Sequence, residues 1–204
     1  MLSLLFAAAA YWTVHIDIPA DRAEFQRIDA QFDTTVRDFY AAHSLAPPAV
    51  WRIVTADGAY MGLRPRGTMA DVATPQLPAD LSKELQTRTA PISAATHQIL
   101  RAHHSELWHL EPDLTTRVID APPRTYSLMR VDIPAPPRND EYETAMKQLV
   151  RDLSANGVET MAFFSSYGDG AYHYIFSSDK PIHVRALKGF GETHDFAIRS
   201  LEIR

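Results

Sequence analysis

Two matching segments carry side chains that can do acid–base or ligand-binding chemistry. Tyr11, His15 and Asp17 share one face of YWTVHIDIPA (Tyr11 to Ala20), and Tyr126, Arg130 and Asp132 hold the matching places of YSLMRVDIPA (Tyr126 to Ala135). An imidazole beside a carboxylate can be tuned as an acid or a base, and a Tyr/His/Arg/Asp lining suits a polar or anionic organic molecule. The same groups can instead form a buried ion-pair network that only fixes how two pieces dock. Tyr60 and Tyr172, with Phe163, Phe164, Tyr174 and Phe176 nearby, add aromatic surface for a flat ligand, or simply core.

A second concentration is HHSELWH, His103 to His109. Helical spacing from Ile92 to Leu110 puts His103 on a stripe with Ala95, Ile99, Leu100 and Leu107. A desolvated imidazole there can act as a general base or bind haem iron, or it can be a core residue with one hydrogen bond. His103 and His15 are therefore the candidate catalytic residues. No metal site is read from the spacing: His97 and His104 lie about 10 Å apart along a helix, and no glutamate follows the first histidine as HExxH requires. Trp108, with Arg101 and His104 on the opposite flank, reads as a packing surface for the other half or for a second copy in a homodimer. The serines form no nucleophile elbow, and GFGET lacks the lysine of a phosphate loop, which argues against ATP chemistry.

The elements that must position these residues occur twice. The repeated decapeptides lie 115 residues apart, and the tetrapeptide DGAY recurs at Asp57 to Tyr60 and Asp169 to Tyr172, 112 apart. Such self-similarity marks a duplicated unit. In the first copy Trp12, Val14, Ile16 and Ile18 alternate with polar residues, predicting a strand that ends at Pro19. Asp21 and Glu24 then open a helix bearing Phe25, Ile28, Phe32, Val36 and Phe39, closed before Pro47 and Pro48. Strands at Ala49 to Thr55 and Tyr60 to Arg64 flank an Asp-Gly hairpin. The second copy repeats the order with a strand at Tyr126 to Ile133, a helix through Tyr142, Met146, Leu149 and Leu153, and a hairpin around Asp169-Gly170. Residues 67–89 read as a linker, Thr115 to Asp120 and Phe196 to Ile203 as closing strands, and Pro181 to Leu187 as a short helix. The expected division is 11–120 and 121–204.

Composition sets the remaining bounds. At 204 residues, 46% hydrophobic and a net charge of -5 with the charges interspersed, the chain offers no field for nucleic acid. The absence of cysteine removes disulfides and thiolate chemistry. Residues 1–10, MLSLLFAAAA, resemble the end of a secretory signal with an A-x-A pattern at Ala8 and Ala10, and are too short to span a bilayer. The expectation is a periplasmic or secreted protein, otherwise a cytoplasmic one, with no transmembrane segment.

Each half resembles the ferredoxin-like βαββαβ motif, and the pair resembles the dimeric α+β-barrel superfamily, folded as an internal pseudo-dimer with two antiparallel sheets facing each other. That resemblance implies an α+β fold shared by cofactor-free monooxygenases, haem-handling enzymes and plain ligand binders, and transfers no chemistry by itself. The Asn-Trp-His set of haem-degrading members is absent; only His103 occupies a comparable helix. The leading expectation is a small-molecule binder whose inter-sheet cavity is lined by Tyr11, His15, Asp17, Tyr126, Arg130, Asp132, Tyr60 and Tyr172. The alternatives are a monooxygenase-like or haem-linked enzyme, haem being the one cofactor in view, and a structural interaction module.

Overall fold

The computed structural model describes residues 10–118, 125–132, 139–180, 182, 187 and 189–203. Residues 1–9, which hold all of the A-x-A segment but Ala10, the 120/121 boundary, the end of the strand at Ile133 and most of the helix expected at 181–187 lie outside the described residues. No described helix is long and apolar enough to cross a membrane.

The alternation from Trp12 to Ile18 becomes strand β1 (Tyr11–Pro19). Asp21 caps helix α1 (Arg22–Ala42) by accepting the Glu24 N–H at 3.0 Å. Strands β2 (Trp51–Thr55) and β3 (Tyr60–Gly67) form the first Asp-Gly hairpin. In the second half come β5 (Thr125–Asp132), helix α4 (Asn139–Ala155), β6 (Glu159–Tyr167), β7 (Tyr172–Ser178) and β8 (Glu192–Ile203). Gly58 and Gly170 adopt φ of 94° and 69°, as the Asp-Gly turns require.

Three expectations are corrected between the halves. Residues 67–89 are largely helical: α2 (Met69–Ala73) starts from a reciprocal Thr68/Asp71 capping box, and α3 (Ala79–Ile99) follows. The helix expected through Leu110 ends at Ile99, and HHSELWH lies on strand β4 (Leu100–Leu110). Pairing with β1 along Tyr11 to Pro19 and with β6 at Leu107 to Leu110 gives that backbone ladder partners on both sides, which overrides the helical spacing. The strand expected at 115–120 is absent from 115–118. Beyond a 3-10 turn at Pro112–Leu114, the Thr116 N–H reaches Thr160 O at 2.9 Å without a regular ladder.

The eight strands close into one antiparallel barrel in the order β1-β3-β2-β8-β5-β7-β6-β4. Each half contributes the ferredoxin-like order fourth, first, third, second strand, and the sheet edges join through β2–β8 and β4–β6. The chain is thus an α+β protein with the expected pseudo-dimeric barrel, its sheets continuous around the axis.

The barrel interior is filled, which removes the expected cavity between the sheets. Trp12, Val14, Trp51, Ile53, Leu63, Trp108, Met161, Phe163 and Ile175 form one buried cluster. Trp12 meets Trp51 and Phe163 edge-on, with ring centroids 5.5 and 5.6 Å apart. Trp108 is fully buried there, so it cannot present a docking face for a second copy. A second cluster lies outside the barrel, between β5–β7 and α4, and contains Met129, Val131, Tyr142, Met146, Tyr172, Tyr174 and Phe176. Trp12→Ala is expected to cost about 3–5 kcal/mol in denaturant-induced unfolding; a loss under about 1 kcal/mol would mean the interior is not packed in this way.

Candidate functional site

Because Trp12 and Val14 point into the barrel, Thr13, His15 and Asp17 point outward, towards the helices. His15 and Asp17, with His103 of β4, form the floor of a cleft of about 600 Å³ roofed by α1 and α3. Phe25, Asp29 and Asp33 descend from α1, and Ser93, Thr96 and His97 from α3. Arg52 is clamped by Asp29 and Asp33, which ties β2 to α1.

The space exists because of two residues on β3. His15 pairs with Gly62 across the β1–β3 ladder, as Met129 pairs with Tyr174 across β5–β7. Asp17 pairs with Tyr60 as Val131 pairs with Tyr172. Gly62 and Arg64 therefore stand where the second half has Tyr174 and Phe176, whose rings stack 5.9 Å apart and fill the space under α4. A Cβ built on Gly62 would meet nothing nearer than a Val50 methyl at 3.9 Å.

Three histidines from three elements converge in the cleft. His103 and His15 are near-parallel at 6.1 Å, and His97 approaches His103 at 5.4 Å. His103 Nδ1 lies 2.6 Å from Asp17 Oδ1. A carboxylate only accepts, so Nδ1 carries the proton and the neutral ring keeps Nε2 as its basic nitrogen. His15 Nδ1 lies 2.8 Å from Ser105 Oγ. His15 keeps contact with solvent through the cleft mouth, yet neighbouring atoms strip enough hydration to lower its pKa, and Arg64 lowers it further. Arg64 is partly buried and has no hydrogen bond or ion pair among the described residues; burial and then the like charge of Arg66 lower its pKa, and as a guanidinium it stays charged.

The eight residues expected to line one pocket divide among several places. His15, Asp17 and Tyr60 meet in the cleft, where the candidate catalytic residue His103 joins them. Tyr11 shares their face but sits against His109 at 4.9 Å, further down β1. Tyr126, Arg130 and Asp132 share the inward face of Leu128, and Tyr172 is buried under α4, donating to Glu143 Oε1 at 2.7 Å. Sequence reasoning missed Gly62, Arg64 and Arg52. A glycine inside a strand was the available signal, since it marks a weak point or a close approach.

No sequence family matches the chain, and no curated relative does. Solved structures do match in shape. A candidate monooxygenase from Lactobacillus acidophilus is 10% identical, with a TM-score of 0.55 and 95% of each chain covered. An anthrone oxidase-like protein is 8% identical, with a TM-score of 0.56 over 95% of this chain and 92% of the other. A variant chlorite dismutase from Candidatus Nitrospira defluvii is 9% identical, with a TM-score of 0.51 over 94% and 92%. The chain has the dimeric α+β-barrel fold, and at these identities the likeness extends to the fold alone.

The unfolded chain protonates His15 more readily than the folded one, so His15 withdraws stability as pH falls through its ordinary 6.5 and does not affect it well above that value. An NMR titration is expected to place His15 below 6.5, with Arg64→Ala moving it part of the way back. Titration at or above 6.5 in the unmodified protein would contradict the crowding described.

Proposed function

We propose that this chain is a small-molecule-binding protein whose ligand, a planar organic anion, occupies the cleft between the first half's sheet and α1/α3. The observation that carries the reading is Gly62 and Arg64 at the positions of Tyr174 and Phe176: the second half is filled with rings where the first half leaves space and a cation with no hydrogen bond or ion pair among the described residues. A ligand carboxylate, phenolate or enolate oxygen would pair with Arg64, and its ring would lie against Phe25 and Tyr60, themselves 4.5 Å apart.

The cleft also carries the parts of a proton-abstraction site. His103 Nε2 would accept a proton from the bound molecule, Asp17 would stabilise the resulting imidazolium, and the electron pair would remain on the ligand as an enolate or phenolate facing Arg64. Such electron-rich anions react with dioxygen, and the fold shared with candidate monooxygenases gives this oxygenase reading its support.

Haem is the second reading, favoured by His103, whose Nδ1 is held by a carboxylate as in many iron-ligating histidines. The residues fit the iron better than the porphyrin's carboxylates. Two propionates would face Asp17, Asp29, Asp33 and Glu202 with Arg64 as the one cation without a partner among the described lining residues.

Calorimetry with simple aromatic carboxylates and phenolates against their neutral analogues tests the proposal. The anions are expected to bind, Arg64→Ala to weaken them by about tenfold or more, and Gly62→Leu to abolish binding while unfolding stays cooperative. Equal binding of neutral analogues, or full binding by Gly62→Leu, would sink it. A Soret band on haem addition that His103→Ala removes would favour the second reading instead.

A further inference from the structure

Alternate residues of β4 point the other way, into one end of the barrel. There Glu106 and His173 are buried on the inward face, with Asp169 of the β6–β7 hairpin above them. We propose that Glu106 Oε2, Asp169 Oδ1 and His173 Nε2 bind one divalent transition-metal ion. The site is independent of the cleft and of the reading given to it.

The three ligand atoms already converge. His173 Nε2 lies 3.3 Å from Asp169 Oδ1 and 3.7 Å from Glu106 Oε2, and all three atoms fall within 4.8 Å of one another. Ligands about 2.0–2.2 Å from one ion stand about 3.0–3.6 Å apart, so an ion fits with small adjustments. A single imidazole N–H can satisfy one of the two facing carboxylates well, whereas a cation satisfies both. Charge points the same way. Among the described residues Arg130 is the one permanent cation paired with this group, contacting Asp169 Oδ2 at 2.7 Å and Asp132 Oδ1 at 2.8 Å, and Glu106 has only imidazoles as ion-pair partners. Among the described residues His104, His173 and His194 also face these carboxylates, and Glu192 adds a further acidic group beside Asp132 and His194.

The second layer is that of a built site. Trp108 Nε1–H donates to Glu106 Oε2 at 2.6 Å, Ser165 Oγ lies 3.4 Å from the same oxygen, and the Ala171 N–H donates to Asp169 Oδ1 at 3.0 Å. The Trp108 ring stacks on His173 with centroids 4.0 Å apart and 17° between planes, fixing the imidazole. These outer contacts orient ligands as they do in known metal centres. Gly168 lets the hairpin close over the carboxylate: a Cβ there would stand 2.8 Å from Glu106 Cγ. Asp169 remains partly open to solvent, and His104 Nε2, 3.2 Å from Glu106 Oε1, stands at that entrance. One nitrogen and two oxygen donors suit Zn²⁺, Fe²⁺ or Mn²⁺ better than Ca²⁺ or Mg²⁺.

The test uses the full chain stripped with EDTA and titrated with ZnCl₂, MnCl₂ and CoCl₂. One equivalent is expected to bind, with a visible Co²⁺ spectrum and a raised melting temperature. Glu106→Gln, His173→Gln and the more accessible Asp169→Asn should each weaken binding at least tenfold, and Ser165→Ala by a smaller factor. His103→Ala, in the cleft, should leave it unchanged. Absence of stoichiometric binding, or binding that survives His173→Gln and Asp169→Asn but is lost in His103→Ala, would overturn the proposal. In the first outcome the cluster is a hydrogen-bonded plug, and in the second the ion belongs to the histidines of the cleft.

Discussion

Closing eight strands on themselves forces each to commit one face to the inside. That inside is occupied by three tryptophans, Phe163 and a ring of aliphatic side chains, none of which leaves room to turn over. Once Trp12 and Val14 are committed inward, His15 and Asp17 have only the outer face, where α1 and α3 pass over them. The polar groups of the first half are thus kept out of the barrel by the demand for apolar volume within it. Their meeting with His103 and Ser105 follows from the ladder that places β4 beside β1.

The duplication, the element order and both Asp-Gly hairpins were legible because they rest on local chemistry: proline stops, an aspartate cap and glycines that tolerate positive φ. The facing of the strands was not. The decapeptides match at 115 residues, but the ladders match Val14:Leu63 to Leu128:Ile175, which shifts the first strands by 114 and the hairpins by 112. A one-residue slip exchanges the faces of a strand, so Tyr126, Arg130 and Asp132 point inward while Tyr11, His15 and Asp17 point outward. The eightfold lining therefore separated into groups that never meet.

HHSELWH failed for a related reason. Its helical stripe is broken by polar residues that serve two compartments, so neither a period of 3.6 nor one of 2 stands out in apolar character. On a strand, His103 lines the cleft and Ser105 bonds His15 on the same face, while His104, Glu106 and Trp108 belong to the barrel end. The sequence signal was real but was divided between two sites, and only long-range pairing shows the division.

The two halves have exchanged the places where they keep polarity. In the first half Ile16 and Met61 face the barrel while His15, Asp17 and Arg64 lie under the helices. In the second, Arg130 and His173 take the inward positions of that pair, and Met129, Val131, Tyr172, Tyr174 and Phe176 lie under α4. Burial raises the pKa of Tyr142, Tyr172 and Tyr174 and holds these phenols neutral. Each half can afford a polar region because its neighbour supplies apolar volume on the other side of the same continuous sheet. Filling the second half's helix–sheet space also gives the sheet a rigid wall against which an open cleft in the first half can keep its shape, since a barrel with both outer spaces hollow would rest on its interior alone.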